Sequence, residues 1–241
     1  MKRTLLGMLT PSSNTILEPL TSAMVAGVPG VSAHFGRFRV TEISLRSAAL
    51  GQFDDAPILE AAKLLADAHV DVICWNGTSS GWLGFDADHR LCECITAATG
   101  IPACTSVLAL NEIFDNTSVR EFALVTPYLD DVQAKIVDNY AKSGYRCIDE
   151  RHLGRSVNFS FSEVTEGQVS DMVREVAAAR PKAISTFCTN LNAARVVPAL
   201  ERELGIPIYD TISTAVWKSL KVAGVDTRLV KGWGRLFDEV A

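Results

Sequence analysis

Short runs of apolar residues alternate with longer amphipathic stretches along the whole chain. The apolar runs predict eight strands, at residues 4–9, 31–40, 70–75, 102–105, 121–126, 145–150, 182–187 and 206–209. Stretches with helical spacing predict helices at 14–26, 55–68, 86–98, 107–115, 129–143, 164–179, 191–204 and 211–223. This alternation is typical of an α/β fold, in which right-handed crossovers place helices on both faces of a parallel sheet.

The pattern repeats itself about half the chain length further on. Each copy has an apolar strand ending in Thr-Pro, an apolar strand ending in small polar residues, and a Gly-Ile-Pro triplet. The matching segments are 5–11 with 122–127, 70–78 with 183–189, and 100–102 with 205–207. The copies differ at one position, because Gly77 precedes Thr78 where Cys188 precedes Thr189. If both loops face one cleft, the site between them contains a single thiol.

Composition limits the classes of function. The chain has 241 residues, 48% of them hydrophobic, and a net charge of −5 without clustered lysine or arginine. We expect no nucleic-acid partner and no membrane, because those partners need a concentrated basic surface or a long apolar segment. The opening residues run directly into a strand and predict no secretory signal, so the expected location is the cytoplasm.

The six cysteines and four histidines predict neither a disulfide framework nor a metal site. Four of the cysteines lie in or beside apolar runs, where thiols are usually reduced and buried. Cys92 and Cys94 are two residues apart in a helical pattern, so their side chains point to different faces. Because no pair of His or Cys has the spacing of metal ligands, we expect no metal.

Four loops directly follow predicted strands, and ligands of parallel sheets bind beyond the carboxyl ends of the strands. These loops are rich in small polar side chains and span 10–15, 76–84, 126–129 and 188–192. Ser12 and Asn14, in the first loop, either cap the following helix or bind an anion at its positive end. Neither of the first two loops has the glycine pattern of a nucleotide-phosphate loop, which favours a carboxylate as the anion.

Cys188 lies at the end of a strand, ahead of a helix predicted to begin near Leu191. The N-terminus of that helix and nearby N–H groups predict a lowered pKa, which makes the thiol a base or a nucleophile. The alternative is a buried core cysteine, and no His or Asp accompanies it as in a Cys-His protease. Tyr128 follows the second Thr-Pro and either donates its hydroxyl into the same cleft or only packs there.

The residues at several of these positions resemble known families. Segment 7–15 with Glu18-Pro19 resembles the opening of maleate cis-trans isomerases. The features that resemble arylmalonate decarboxylases are Gly77-Thr78-Ser79, Thr126-Pro127-Tyr128, Cys188 and segment 234–239. Both families belong to the aspartate/glutamate racemase superfamily, and the resemblance covers nearly the whole chain.

The resemblance implies an α/β fold of two pseudo-symmetric domains, each a mostly parallel four-stranded sheet flanked by helices. The active site is then expected in the cleft between them. The implied division places residues 1–115 together with 212–241 in one half and residues 116–211 in the other. The segment 233–241 is expected to pack either on a neighbouring copy or on its own domain, and a homo-oligomer stays an open alternative to a monomer.

The resemblance also implies chemistry without a cofactor, at a carbon atom next to a carboxylate. It assigns Cys188 as the proton donor to that carbon, with Thr78, Ser79 and Tyr128 hydrogen-bonded to an enediolate intermediate. The further residues expected to bind the substrate or shape the pocket are Ser12, Asn14, Gly77, Asn158, Phe161, Thr189 and Asn190.

The single thiol distinguishes the reactions of this superfamily. Racemases and maleate isomerases usually have a second cysteine where this chain has Gly77, whereas a decarboxylase needs one acid on one face. We therefore expect a decarboxylase-type lyase that acts at the α-carbon of a substituted malonate or small dicarboxylate. Asn14 and Asn158, where maleate isomerases hold carboxylates, indicate a polar acid. The open alternatives are a maleate isomerase or Asp/Glu-type racemase, and a non-catalytic dicarboxylate-binding protein.

Overall fold

The computed structural model describes residues 3–240, in which eight strands form two sheets. The strands are β1 (Thr4–Pro11), β2 (Val31–Phe38), β3 (Val72–Trp75), β4 (Ala103–Thr105), β5 (Glu121–Thr126), β6 (Arg146–His152), β7 (Ala183–Thr186) and β8 (Ile208–Asp210). The first sheet has the order β2-β1-β3-β4 and the second the equivalent order β6-β5-β7-β8. Every pair of neighbouring strands is parallel. The predicted α/β fold with two four-stranded sheets is confirmed.

Helices flank both sheets. Within residues 3–240 they are α1 (Leu17–Val25), α2 (Ser47–Leu50), α3 (Asp55–Asp67), α4 (Ser80–Leu83), α5 (Phe85–Thr99), α6 (Ser106–Asn116), α7 (Asp130–Lys142), α8 (Asn158–Phe161), α9 (Glu166–Ala177), α10 (Val197–Leu204), α11 (Thr211–Val222) and α12 (Arg235–Glu239). Helices α2, α4, α8 and α12 were not predicted. They contain only four or five residues each, which is too few to show a helical period.

One predicted helix begins later than expected. The pattern at 191–204 predicts a helix close behind Cys188, but α10 begins at Val197, and residues 189–196 form turns. The side chain of Asn190 holds this segment, because its Oδ1 accepts the N–H of Thr15 at 3.0 Å and its Nδ2 donates to the carbonyl of Asn158 at 2.7 Å. These bonds to distant loops override the local helix propensity.

The central strands are the most buried parts of both sheets. Every residue of β3 and of β7 is buried, and the two polar residues that end β7, Ser185 and Thr186, are hydrogen-bonded. The edge strands β2 and β6 have mainly half-buried residues instead. The loops at the carboxyl ends of β3 and β7 therefore start inside the protein, where water is scarce.

The C-terminal segment returns to the first sheet. Helix α11 follows β8 but packs against α1, α6, β3 and β4. The indole N–H of Trp217 donates to the carbonyl of Val240 at 3.0 Å, so the described end of the chain packs on its own protomer. The division into 1–115 with 212–241 and 116–211 stays a prediction, and Met1, Lys2 and Ala241 lie outside the described residues. None of the helices in residues 3–240 is long and apolar enough to cross a membrane.

Candidate active site

The loops that follow β1, β3, β5 and β7 meet where the two halves join. Asn14 donates from Nδ2 to the carbonyl of Thr189 at 3.0 Å, across 175 residues of sequence. Thr189 in turn donates from its hydroxyl to the carbonyl of Asn76 at 2.9 Å. The hydroxyls of Thr78 and Tyr128 share a hydrogen bond of 2.6 Å. Both halves of the chain therefore contribute polar groups to one cluster.

Cys188 lies in this cluster with 3% of its surface exposed. The backbone N–H of Asn190 donates to its Sγ at 3.4 Å, and the Tyr128 hydroxyl interacts with the same sulfur. Burial outweighs these donors and raises the pKa of Cys188 to about 12. The predicted lowering of this pKa is wrong, since the thiol is cut off from water and α10 does not begin until Val197. At neutral pH the group is a protonated thiol, the form that donates a proton.

Tyr128 is fixed between two aromatic rings. Its ring centroid lies 5.5 Å from that of Trp82 and 5.6 Å from that of Phe161, both in edge-on geometry. Burial raises the pKa of Tyr128 well above its usual value, so its hydroxyl stays neutral and able to donate. Its backbone N–H donates to the Thr126 hydroxyl at 3.3 Å. Phe161, expected to shape the pocket, packs against the phenol ring of Tyr128.

Ser79 precedes the short helix α4 but its hydroxyl does not cap that helix. The residue is only 5% exposed, and its hydroxyl has no hydrogen-bond partner among residues 3–240. Thr78 next to it bonds Tyr128. The Thr78 hydroxyl is therefore already bonded to the phenol of Tyr128, and the Ser79 hydroxyl is available to bind a ligand.

The side-chain amides of Asn14 and Asn158, both predicted to bind substrate, differ in how many of their hydrogen-bonding groups are already in use. The Oδ1 of Asn14 accepts two backbone N–H groups at the start of α1, at 2.9 and 3.0 Å, and its Nδ2 bonds Thr189. Asn14 therefore caps a helix and joins the two halves. Asn158 accepts from Asn190 on its carbonyl oxygen, at 2.7 Å, and on Oδ1, at 3.3 Å, while its own Nδ2 has no partner among the described residues. Asn158 is thus the amide with a donor available for a carboxylate.

Ser12 is separate from the thiol cluster. Its hydroxyl accepts the backbone N–H of Val40 at 3.1 Å and so fixes the chain just after β2. The following segment crosses to the second half, where the N–H of Ile43 donates to Ser156 at 2.8 Å and the N–H of Asn158 donates to Thr41 at 2.9 Å. Ser12 therefore supports the segment beside Asn158, and its predicted contact with an anion stays a prediction.

Gly77 takes the place in the first half that Cys188 has in the second. Its carbonyl accepts the Ser106 hydroxyl at 2.7 Å. A Cβ added to Gly77 would lie only 1.9 Å from the indole of Trp75. The sequence reasoning missed Trp75, although residues two apart in extended chain share a face, so the spacing of Trp75 and Gly77 was a usable signal.

The arrangement is a buried cluster of neutral donors around one thiol. Hydroxyls, amides and backbone N–H groups in such a place stabilise negative charge that develops on an oxygen atom, because they are already oriented and water is excluded. Within the described part of the chain, no three His, Cys, Asp or Glu residues are grouped so that they could bind a metal ion. The cluster can therefore donate hydrogen bonds and, from Cys188, a proton to a group bound beside it.

Comparisons with known proteins identify the family of the chain. The sequence profile of the arylmalonate decarboxylase family matches residues 15–237. The arylmalonate decarboxylase of Bordetella bronchiseptica is 24% identical over 237 residues, which cover 97% of this chain and 96% of that protein. The maleate isomerase of Nocardia farcinica is 27% identical over 241 residues, covering 96% and 94%.

A solved structure gives the same result for the fold. It is a mutant of the Nocardia farcinica maleate cis-trans isomerase with a covalently bound succinylcysteine intermediate. It matches this chain with a TM-score of 0.90 and 23% identity, and the match covers 99% of both chains. The two-sheet architecture is therefore that of these proteins over the whole described chain.

Proposed function

The chain belongs to the arylmalonate decarboxylase family, and on this premise we propose that it is a cofactor-independent decarboxylase of a substituted malonate or small dicarboxylate. Its relatives are enzymes of small carboxylic acids, named as a decarboxylase or as isomerases. The observation that carries the choice between them is the single thiol. Cys188 lies beside Thr78 and Tyr128, and Gly77 takes the equivalent place in the other half.

In the proposed reaction, one carboxylate of the substrate leaves as carbon dioxide. The electron pair of the broken C–C bond remains on the α-carbon and delocalises into the second carboxylate as an enediolate. The hydroxyls of Thr78, Ser79 and Tyr128 donate to its two oxygen atoms, which offsets the developing charge. Cys188 then transfers its proton to the α-carbon, and the resulting thiolate takes a proton from water.

The protonation state of Cys188 supports this role. Because burial raises its pKa to about 12, the thiol is protonated at neutral pH and ready to donate. A racemase base or an isomerase nucleophile must instead be a thiolate before the reaction starts. In the absence of ligand, that form is disfavoured by the same burial.

The amides indicate the class of acid. The side-chain NH₂ group of Asn158 lies beside Asn190 and the segment after β2, and no residue of the described range 3–240 accepts from it. A carboxylate or another polar substituent on the substrate is the group that such a donor binds. We therefore infer a small polar acid rather than an arylmalonate with a large apolar ring.

The six cysteines are all unpaired, which supports a reducing location such as the cytoplasm.

A maleate isomerase is the second candidate. The Nocardia farcinica maleate isomerase is 27% identical to this chain, and a mutant of that protein carries a succinylcysteine. By analogy, Cys188 would add as a thiolate to the double bond of maleate, the C–C bond would rotate, and the thiolate would leave. The thiol's raised pKa and the missing partner at position 77 make this candidate weaker.

The test is proton NMR in deuterium oxide with phenylmalonate, methylmalonate, maleate and aspartate. Wild type is compared with Cys188→Ala and with Cys94→Ala, which removes a half-buried thiol of α5 away from the site. We expect a malonate to lose carbon dioxide and gain one deuterium. We expect the reaction to disappear in Cys188→Ala and to persist in Cys94→Ala.

The other outcomes separate the alternatives. Fumarate formed from maleate identifies an isomerase, and α-deuterium exchange in aspartate identifies a racemase. Turnover that survives Cys188→Ala refutes the role of the thiol. A dicarboxylate that raises the melting temperature without any turnover identifies a binding protein.

A further inference from the structure

We propose that Trp75 makes the site one-sided, because its indole occupies the space in which a second thiol would project from residue 77. This inference deepens the proposed function and rests on it for the stereochemical result. It makes Trp75 a specificity-determining residue: the Gly77 side of the pocket is closed by an aromatic ring. Proton transfer is then available only from the side of Cys188.

The geometry at Gly77 carries the proposal. A Cβ built on Gly77 lies 1.9 Å from Cζ2 of Trp75 and 2.4 Å from both of its ring neighbours, Cε2 and Cη2. Both neighbours of Cζ2 are closer to that Cβ than an atom in the ring plane beyond Cζ2 would be, so the Cβ lies over the face of the ring. No side chain fits there, since real atoms at such distances overlap. The position of the indole therefore requires glycine at residue 77, and this glycine is also the reason that the first half has no thiol there.

The second half shows the opposite choice at the equivalent pair of positions. In the first sheet Leu9 pairs with Trp75, and in the second sheet Val125 pairs with Thr186. Trp75 and Thr186 are thus equivalent, and each lies two residues before the position that is Gly77 or Cys188. Two residues before the glycine stands the large Trp75, and two residues before the cysteine stands the small Thr186. The Thr186 hydroxyl bonds the Asp210 carboxylate at 2.9 Å.

The indole is held by packing on all sides. Trp75 is completely buried, and its centroid lies 5.1 Å from that of Phe38. Its N–H has no hydrogen-bond partner among the described residues, so a smaller apolar side chain breaks no hydrogen bond. The backbone of Gly77 is fixed on its other side by Ser106. Neither partner of the contact is free to move away.

A stability cycle tests the steric part without any substrate. In the wild-type background Gly77→Ala is expected to lower the melting temperature by roughly 4–10 °C, the cost of overpacking a rigid site in a chain of this size. In the Trp75→Leu background the same change is expected to cost less than about 2 °C. Equal losses in both backgrounds overturn the proposal. If Trp75→Leu does not fold, Trp75→Phe is the milder replacement.

Gly81→Ala is the matched control. A Cβ on Gly81 would lie 2.7 Å from the ring of Phe187, so this glycine is also crowded by an aromatic ring, but by a different one. Its cost is expected to be the same with Trp75 or with Trp75→Leu. If Trp75→Leu reduced the melting-temperature cost of both glycine substitutions, the core would be loosened in general. That result would also contradict the specific contact between Trp75 and Gly77.

The second measurement follows the introduced thiol. Gly77→Cys/Cys188→Ser is expected to be inactive on the malonate that wild type decarboxylates, and its thiol at position 77 to resist alkylation. With Trp75→Leu added, alkylation is expected to rise at least roughly tenfold, and turnover to return with the deuterium on the opposite face. Turnover restored while Trp75 is still present overturns the proposal. If wild type decarboxylates no malonate, the proposed function fails, and the stability cycle and the alkylation still decide whether Trp75 closes this side.

Discussion

The two halves of the molecule have the same frame but a different chemical content. Their strand orders are equivalent, and the central strands β3 and β7 each end in a loop that reaches the shared cluster. The first loop contributes hydroxyls from Thr78 and Ser79 and continues directly into α4. The second contributes Cys188 and passes through turns before α10. The comparison teaches that equivalent loops in the same frame carry different groups, two hydroxyls after β3 and a thiol after β7.

The helix caps beside these loops differ in the same way. Thr105, at the end of β4, caps α6 by accepting the N–H of Leu108 at 3.1 Å. Asp210, at the end of β8, caps α11 by accepting the N–H groups of Ile212 and Ser213. Burial raises the pKa of Asp210 to about 7. The half with the thiol therefore also has an ionisable cap, which the half with the glycine lacks.

The largest expected effect comes from removing the hydroxyl that joins the two loops. Tyr128→Phe deletes the partner of Thr78 and Cys188, and we expect kcat on the accepted acid to fall by about 10²–10³-fold. Tyr140→Phe is the control, because Tyr140 is buried and its hydroxyl has no partner among the described residues. It should leave kcat unchanged. Comparable losses in both variants would assign the effect to packing.

A smaller effect is expected from the ionisable cap. The folded-state pKa of Asp210 is about 7, above the value near 3.9 of an unfolded aspartate. Its contribution to stability is therefore present below about pH 4 and is lost as the pH rises through 7. Asp210→Asn keeps an acceptor for α11 and removes the titration. Its free energy of unfolding relative to wild type should increase between pH 4 and 7, by on the order of 1 kcal/mol per pH unit.

Urea unfolding at pH 4, 5, 6 and 7 measures this difference. Parallel stability curves for the two proteins would show that Asp210 does not titrate in this range.

The smallest effect is expected at the contact between the halves. Asn14→Ala removes the helix cap and the bond to Thr189, and we expect a loss of about 1–3 kcal/mol in the free energy of unfolding. Ser12→Ala removes only the bond to Val40 and should cost less. Urea unfolding of both variants gives the order. If Ser12→Ala lowered the free energy of unfolding as much as Asn14→Ala, the bond between Asn14 and Thr189 would add nothing to stability beyond an ordinary loop contact.

The fold was predictable mainly from the central strands of each sheet, which are rich in apolar residues. Within residues 3–240 each strand overlaps a predicted segment, and burial on two faces gives the central strands β1, β3, β5 and β7 their apolar pattern. The error at 191–196 came from a segment of good helix formers whose neighbour Asn190 is bonded to remote loops. Such tertiary bonds have no local signal.

The site was predictable as a set of loops but not as a set of contacts. The repeat places Gly77 opposite Cys188, and strand topology brings their loops together. The bond between Asn14 and Thr189 joins residues that no local pattern relates. The raised pKa of Cys188 follows from complete burial, which depends on the packing of both halves and outweighs the donors that the sequence suggested.

The most direct test of the account is the configuration of the product formed in deuterium oxide. Methylmalonate, or whichever malonate the enzyme accepts, should give a product with one deuterium at the α-carbon and a single configuration, because one thiol protonates one face. Cys188→Ser should lose this reaction. A product with deuterium on both faces, or the same stereospecific product from Cys188→Ser, would contradict a one-sided site built on Cys188.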